Sequence, residues 1–184
     1  MGKKMIRKNP NGDYPGIDDT AYIDPSAVII GKVKIGKNVY VGPAAVLRAD
    51  EPNSSIIIGD NCNVQDRVVA HSLEDSLVLI GKNTSLAHGC IIHGPCKIGN
   101  NCFIGFGSVV FNSEIGKGTV IMHSALVEGV NILSEKMVGS SRSVTSMDDA
   151  GKLKQVDQEL KDFTHKVIKA NLSLVKMYKD LFVS

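Results

Sequence analysis

Apolar residues recur at every sixth position over the first three quarters of the chain. The series runs from Ile17 to Val127 with two longer gaps and one single-residue deletion, and isoleucine, valine or leucine fills 17 of its 18 positions. We call these positions the anchors. A period kept over so many repeats is typical of a solenoid, in which each unit stacks on the next and buries a shared core. The pattern therefore predicts a stack of short β-strands.

Two further positions of the repeat are restricted in residue type. The position after the anchor is glycine seven times, which predicts repeated tight corners, at Gly36, Gly42, Gly59, Gly81, Gly99, Gly105 and Gly116. The fourth position after the anchor is small or β-branched and holds all four cysteines, Cys62, Cys90, Cys96 and Cys102. Because the repeat sets their spacing, we expect these thiols to pack in a narrow interior rather than form disulfides or a metal site.

This repeat resembles the hexapeptide repeat of left-handed β-helices, and the resemblance implies three short strands in each coil of a triangular prism. Most isoleucines and valines, and 17 of the 18 glycines, precede Asp148, whereas the rest of the chain is rich in lysine, glutamate and leucine. The first composition favours strands and the second favours helices. We therefore predict a mainly β fold, with a left-handed parallel β-helix over residues 1–147 and a C-terminal α-helical segment, residues 148–184, packed alongside.

Apolar residues of the tail recur every three or four positions, at Leu153, Val156, Leu160, Phe163, Val167, Leu174, Tyr178 and Leu181. This spacing predicts an amphipathic helix with one buried stripe. A single helix would be about 50 Å long at 1.5 Å per residue. We therefore expect two segments along the prism, the first capped by Asp148 or Asp149 and the second by Asp157. Asn171 lies on the stripe, where a buried amide needs a hydrogen-bonding partner.

Composition excludes several classes of function. The chain has 21 lysines and arginines against 19 aspartates and glutamates, and this net charge of +2 does not provide the basic surface of a nucleic-acid-binding protein. Aromatic residues make up 5% and tryptophan is absent, which also argues against base stacking. We expect no membrane span, because no run of about 18 apolar residues is present. The basic start is followed by no apolar signal region, so we expect a cytoplasmic protein.

Three histidines fall at related positions of the repeat. His71 and His93 each follow an anchor, and they are one full coil apart once a four-residue insertion is removed. We therefore expect them to stack on one face about 4.8 Å apart. His88 belongs to the preceding face and points near a different edge of the prism, so a threefold neighbour is needed to bring it to the pair. Three neutral histidines with one open position describe a catalytic zinc site.

Five segments around these histidines resemble the gamma-class carbonic anhydrases: residues 47–51 (LRADE), 63–66 (NVQD), 70–74 (AHSLE), 86–88 (LAH) and 92–95 (IHGP). The resemblance extends from about residue 17 to the C-terminus. It implies that His71, His93 and His88 of the partner subunit bind Zn²⁺. Fe²⁺ and Co²⁺ stay open as alternatives, because histidine nitrogens suit all three metals.

The same resemblance implies roles for residues around the metal. Arg48 and Asp50 correspond to a salt bridge across the trimer interface. Residues implied in catalysis are Glu51, Gln65, Glu74 and Asn171, and those implied in substrate binding are Asn63, Gln65 and Asn171. Glu74 corresponds to a proton-shuttle glutamate, although the long acidic loop of the best-known members is trimmed here to about residues 72–79.

The activity that the resemblance implies is reversible hydration of CO2 to bicarbonate, by hydroxide generated at the metal of a homotrimeric enzyme. Two alternatives stay open. One is a hexapeptide-repeat acyltransferase, in which one histidine acts as general base. The other is a non-catalytic trimeric scaffold that keeps a metal for assembly. The sequence favours hydration, because it offers three histidines where acyl transfer needs one.

Overall fold

The computed structural model describes residues 5–181, which form 21 short strands and two helices. The strands are β1 (Ile6–Arg7), β2 (Gly16–Ile17), β3 (Tyr22–Ile23), β4 (Val28–Gly31), β5 (Val33–Ile35), β6 (Tyr40–Val41), β7 (Val46–Ala49), β8 (Ser55–Ile58), β9 (Asn63–Val64), β10 (Val69–His71), β11 (Leu77–Ile80), β12 (Ser85–Leu86), β13 (Ile91–Ile98), β14 (Phe103–Ile104), β15 (Val109–Ile115), β16 (Val120–Ile121), β17 (Leu126–Glu128), β18 (Asn131–Ile132), β19 (Lys136–Val138), β20 (Ser143–Val144) and β21 (Lys154–Gln155). The helices are α1 (Met147–Gly151) and α2 (Gln158–Leu181). The outer limits of the two predicted segments, residues 1 and 184, lie outside the described residues, and the boundary between them falls at the start of α1.

The strands wind into a prism with three faces. The first face stacks β1, β4, β7, β10, β13, β15, β17 and β20, and the third stacks β3, β6, β9, β12, β14, β16 and β19. The second face stacks β2, β5, β8, β11, the far ends of β13 and β15, and β18, because β13 and β15 bend around the corner between the first and second faces. Neighbours within each face pair in parallel, and β21 joins β19 in the antiparallel sense. The architecture is the predicted left-handed β-helix, with about seven coils.

The anchors line the inside of the prism. On the first face, the inner column has no exposed surface and consists of Ile29, Leu47, Ala70, Ile92, Val110 and Val127. In the first coil, Ile17 and Ile23 stay partly exposed, because a neighbouring coil covers them on one side. Burying one such side chain contributes about 1.5–3 kcal/mol, so the repeat stabilises the prism coil by coil.

The glycines that follow the anchors are required for a different reason than the one predicted. The predicted corners are present, because a turn follows each of these glycines, but their φ angles are not positive, so the corner conformation does not itself require glycine. Instead, successive coils approach too closely for a Cβ atom. A Cβ built on Gly81 would lie 2.6 Å from the main-chain nitrogen of Asn100, and one on Gly116 would lie 2.3 Å from that of Ser134. Glycine marks close approach of two backbones here.

Along one edge of the prism, four successive corners with a positive φ use asparagine. The angles at Asn38, Asn61, Asn83 and Asn101 lie between 54° and 58°, a region that asparagine tolerates better than most residues. Each side-chain amide donates to the oxygen of the next amide in the stack at 3.1 Å. This ladder joins four successive coils along one edge.

The four cysteines have the predicted packing role, since each is buried and none forms a disulfide. Burial raises the pKa of the Cys62 and Cys90 thiols to about 12, so almost no reactive thiolate forms at neutral pH. We expect iodoacetamide to modify none of the four thiols in the native protein and all four in urea, as measured by mass spectrometry. Alkylation of the native protein at the rate of a free cysteine would contradict this assignment.

The tail contains two helical segments, as predicted, with β21 between them. Asp157 caps α2, because its carboxylate accepts a 2.9 Å hydrogen bond from the main-chain N–H of Leu160. The first cap differs from the prediction: Ser146 caps α1, and its hydroxyl accepts from the N–H of Asp149 at 3.2 Å. Asp148 and Asp149 lie in the first turn, where the helix dipole favours negative charge. Neither helix of residues 5–181 combines the length and the apolar character of a membrane span.

Helix α2 runs back along the third face from the last coil to the first. Near its start, the ring of Phe163 meets Phe103 edge-on, with centroids 5.3 Å apart. Near its end, Tyr178 stacks on Tyr22 with centroids 4.7 Å apart. The outer column that the helix covers is aromatic or apolar at both ends and polar in the middle, in the order Tyr22, Tyr40, Asn63, Ser85, Phe103, Val120 and Met137.

The stripe predicted for α2 is confirmed in part, because Leu160, Val167, Leu174 and Tyr178 are partly buried against the prism. The buried residues of the helix are Thr164, Ile168, Asn171 and Val175. Phe163 is 39% exposed and Leu181 is 68% exposed, so their assignment to the buried stripe was wrong. Asn171, which the prediction placed on the stripe, faces the prism where the covered column is polar.

Candidate metal centre

His71 and His93 lie side by side on the outside of the first face. Strands β10 and β13 pair in parallel with His71 directly opposite His93. Nδ1 of His71 lies 3.2 Å from Nε2 of His93, and the two ring centroids are 5.0 Å apart. Both strands have hydrogen-bonded neighbours on each side, so the main chain holds the two rings firmly in place.

Three charged side chains surround Nε2 of His71. Nη2 of Arg48 lies at 3.1 Å, Oε1 of Glu51 at 3.3 Å and Oδ1 of Asp50 at 3.6 Å. Burial lowers the pKa of His71, and the cation of Arg48 lowers it further, whereas the carboxylate of Glu51 opposes the shift. The imidazole is therefore neutral at pH 7, which is the state that binds a metal ion.

Arg48 and Asp50 form an ion pair within the chain, with Nε of Arg48 3.0 Å from Oδ1 of Asp50. Both side chains are partly exposed. A pair of this kind contributes less than about 1 kcal/mol, so the fold of one chain does not depend on it. The salt bridge across a trimer interface stays a prediction.

His88 lies after β12, on the corner between the third and first faces. Its Nδ1 is 3.3 Å from Oδ2 of Asp66 in the preceding coil, and its ring contacts Phe106 in the next coil with centroids 5.4 Å apart. Within residues 5–181, no three histidine, cysteine, aspartate or glutamate side chains are placed to hold a metal ion. One chain thus presents two histidines at one edge of the first face and the third at the other edge.

Asn63 and Gln65 form a buried polar chain with Ser85. Nε2 of Gln65 donates to Oδ1 of Asn63 at 2.9 Å, and Nδ2 of Asn63 donates to Oγ of Ser85 at 2.7 Å. Oε1 of Gln65 is buried and has no hydrogen-bond partner among the described residues. Leaving a buried acceptor unpaired costs about 1–3 kcal/mol, so this oxygen is a candidate acceptor for a bound molecule.

Asn171 lies on α2 between Phe163, which contacts Phe103, and Val175, which packs on Tyr22 and Tyr40. This position is level with the pair formed by Asn63 and Ser85. The side-chain amide donates to the carbonyl of Val167 in its own helix at 2.9 Å, so its N–H group is satisfied locally. Its role in a substrate pocket stays a prediction.

Glu51 connects the histidine pair to the short loop of residues 72–76. While Oε1 of Glu51 faces His71, its Oε2 accepts a 2.7 Å hydrogen bond from the main-chain N–H of Glu74. The side chain of Glu74 is exposed, and its carboxylate pairs with none of the described residues. Glu74 therefore contacts this site through its main chain rather than through its carboxylate.

The two histidines fit a divalent cation. Two nitrogen ligands that each lie about 2.0–2.1 Å from a tetrahedral zinc ion are about 3.3 Å apart, which agrees with the 3.2 Å between the two rings. The same separation also suits an N–H···N hydrogen bond between neutral rings. Nδ1 of His93 is buried without a hydrogen-bond partner among the described residues. Imidazole nitrogens that carry no proton are the donors that such an ion binds.

Sequence reasoning missed two side chains that shape this region. Phe111 follows His93 in the stack, and its ring meets the imidazole edge-on with centroids 5.3 Å apart. Ser85 lies opposite Asn63 in the adjacent strand and accepts its amide hydrogen bond. The period that relates His71 to His93 also relates these pairs, so continuing each column by one coil would have found both.

Comparison with known proteins agrees with this architecture. The model of the bacterial transferase hexapeptide family (six repeats) matches residues 78–112. Among solved structures, a Bacillus cereus protein described as an acetyltransferase superposes with a TM-score of 0.83 at 25% identity, over 96% of this chain and 97% of that one. A hexapeptide transferase family protein from Anaplasma phagocytophilum superposes with a TM-score of 0.77 at 29% identity, over 95% and 98%.

Proteins of similar sequence assign the family more specifically than the fold does. The chain is 39% identical, over 86% of its length, to the carboxysome assembly protein CcmM of a Nostoc species, although it spans 30% of that longer protein. It is 38% identical to a carbonic anhydrase of Methanosarcina thermophila, over 94% of this chain and 78% of that protein. With this degree of identity over most of both sequences, the chain belongs to the gamma-class carbonic anhydrase family.

Proposed function

We propose that this protein catalyses the metal-dependent, reversible hydration of CO2 to bicarbonate at sites shared between the subunits of a homotrimer. The observation that carries the proposal is the in-register pair of His71 and His93, whose facing nitrogens lie 3.2 Å apart. His88 precedes β13, whereas His71 ends β10, so His88 lies at the opposite edge of the same face. Membership of the gamma-class carbonic anhydrase family supports the choice of reaction.

The first face offers a surface for trimer formation. Its outer column is apolar and partly exposed over six coils, and it consists of Val28, Val46, Val69, Ile91, Val109 and Leu126. A contact between one edge of a face and the other edge of the same face on the next copy is head-to-tail. Such a contact closes into a ring when the rotation between neighbouring copies completes a circle. Three prisms arranged in this way would bring His88 of the partner subunit to each pair formed by His71 and His93.

We expect Ile91→Glu to dissociate the trimer, because the substitution places a carboxylate in the apolar column of the interface. Ile57→Glu is the matched control, since Ile57 lies on the second face and is 37% exposed where Ile91 is 38% exposed. Sedimentation equilibrium of the two variants and the wild type measures the effect. A monomeric wild type, or a trimeric Ile91→Glu variant, would contradict the assigned interface.

His71, His93 and His88 of the partner subunit would hold the metal and leave one position open. A divalent metal at such a site lowers the pKa of water to about 7 and so supplies hydroxide at neutral pH. Zn²⁺ is the proposed metal, and Fe²⁺ and Co²⁺ are the alternatives that an all-histidine donor set also suits.

Two polar side chains of the chain would orient the reacting oxygen and accept the released proton. Hydration of one CO2 by one water yields one bicarbonate and one proton. The Oε1 of Gln65, which has no hydrogen-bond partner among the described residues, would accept a hydrogen bond from the attacking oxygen. Glu51 approaches from the side of His71. Because its carboxylate is 35% exposed, it is placed to take up the released proton and pass it to solvent.

The test is stopped-flow CO2 hydration by protein that has been stripped with a chelator and reloaded with Zn²⁺, Fe²⁺ or Co²⁺. We expect hydration to follow bound metal and to be absent from the stripped protein, because hydroxide forms at neutral pH only when a metal is bound. If the fully metal-loaded protein is inactive at every pH tested, the proposal is overturned. A scaffold role, which the name of the CcmM relative suggests, would then be favoured.

A second outcome distinguishes the acyltransferase alternative, which the names of the two structural relatives raise. Acetyl-CoA binding by the metal-free protein, measured calorimetrically, would favour that alternative if hydration is also absent. An acyltransferase base needs a single histidine, so its activity would survive removal of the metal.

A further inference from the structure

The loop of residues 72–76 forms a turn of defined type. The main-chain N–H of Ser76 donates to the carbonyl of Leu73 at 3.2 Å, and Asp75 has a φ of 51°. Glu74 is not among the residues with positive φ. These features define a type II turn with Glu74 at its second position, where φ is about −60° and proline is common.

The turn in the preceding coil has the same geometry and holds proline at that position. The N–H of Ser54 donates to the carbonyl of Glu51 at 3.2 Å, and Asn53 has a φ of 53°. Pro52 is therefore the counterpart of Glu74, and its carbonyl accepts from the N–H of Asp75 at 3.0 Å. The two turns differ in one main-chain group: the N–H that Glu74 has and Pro52 lacks.

That N–H is the group that holds Glu51. It donates to Oε2 at 2.7 Å, a short, charge-assisted hydrogen bond that is stronger than one between neutral groups. Oε1 of the same carboxylate lies 3.3 Å from Nε2 of His71. One oxygen of this carboxylate is thus held by the turn, and the other lies beside the histidine pair.

We infer that Glu74 acts as a positioning residue, whose main-chain N–H orients Glu51 beside His71, and that its carboxylate is not the group through which it serves the site. The inference rests on the proposed hydration reaction for its effect on rate. It changes the role that the resemblance implies for Glu74, because the trimmed loop brings the amide rather than the carboxylate to the histidines.

The experiment compares Glu74→Pro with Glu74→Ala. Both remove the carboxylate, but only proline removes the N–H, and the turn accepts proline because Pro52 occupies the equivalent position. We expect kcat/KM for CO2 hydration to be about tenfold lower in Glu74→Pro than in Glu74→Ala, the effect of losing one hydrogen bond to a charged group. Equal rates in the two variants would overturn the inference. Thermal unfolding controls for loss of fold.

A second measurement does not depend on activity or on metal. The amide proton of Glu74 in the metal-free protein is expected to resonate downfield in an NMR spectrum and to move upfield in Glu51→Gln, since a neutral amide oxygen is the weaker acceptor. If the chemical shift of the Glu74 amide proton is the same in Glu51→Gln as in the wild type, the inference is overturned. If the wild type lacks hydratase activity, the proposed function fails, and the resonance alone decides whether the amide holds Glu51.

Discussion

Replacing His88 by alanine is expected to lower metal-dependent CO2 hydration by more than about 100-fold, because loss of even an outer-shell partner of a metal site costs 10–100-fold. In the proposed trimer its loss acts on the site of the neighbouring subunit, because no three potential metal ligands cluster within residues 5–181 of one chain. His88→Ala trimers should also bind metal more weakly, which elemental analysis after dialysis measures. Unchanged metal content and activity would contradict the shared site.

A complementation experiment shows which subunit supplies which ligand. Neither His88→Ala nor His71→Ala alone should be active. In mixed trimers, a site regains all ligands when His71 and His93 come from a His88→Ala chain and His88 comes from a neighbouring His71→Ala chain. Random mixing at equal amounts restores about one quarter of the sites in a closed ring of three. No recovery after co-refolding would indicate that all three ligands belong to one chain.

Gly81→Ala is expected to destabilise the fold by about 1–3 kcal/mol, the range for forcing extra atoms into a packed interior. Its Cβ would lie 2.6 Å from the main-chain nitrogen of Asn100 and 2.6 Å from the main-chain carbon of Gly99. Backbone atoms in the middle of a stack cannot move aside as a flexible side chain does. Urea unfolding at one fixed protomer concentration measures the change, since the stability of an oligomer depends on concentration.

Gly16→Ala is the control for this experiment. Gly16 lies in β2, its φ is not positive, and a Cβ built on it has no heavy atom within 4 Å. We expect it to change stability by less than about 0.5 kcal/mol. Similar losses of stability in both variants would show that the glycines after the anchors are needed for a reason other than the spacing of the coils.

Part of the candidate site was predictable because it follows the repeat. The register of a parallel stack is set by the apolar anchors, and a side chain one period away must lie directly above its counterpart. His71 and His93 obey this rule, and so do Asn63 and Ser85. The hydrogen bond from Glu74 to Glu51 was not predictable, because it joins a main-chain group to a side chain across two loops that interrupt the period.

The packing of the C-terminal tail on the prism also could be learned only from the structure. Spacing alone predicted the helix and the cap at Asp157, since both depend on local hydrogen bonds and one-dimensional periodicity. The full burial of Thr164 and Ile168 depended on the surface that α2 covers, and the spacing did not predict it. A sequence pattern of three- and four-residue spacing leaves two adjacent stripes nearly equal, and the packing partner selects one.

The sequence by itself determined the β-helix, its coil length, the buried cysteine column and the stacking of two histidines, because all four depend on a repeat that any reader can count. Only the tertiary structure decided why glycine follows the anchors, which residues of α2 are fully buried, and that the amide of Glu74 holds Glu51. These features depend on distances between coils and loops, and such distances are set by the sum of packing over the whole prism rather than by any local pattern.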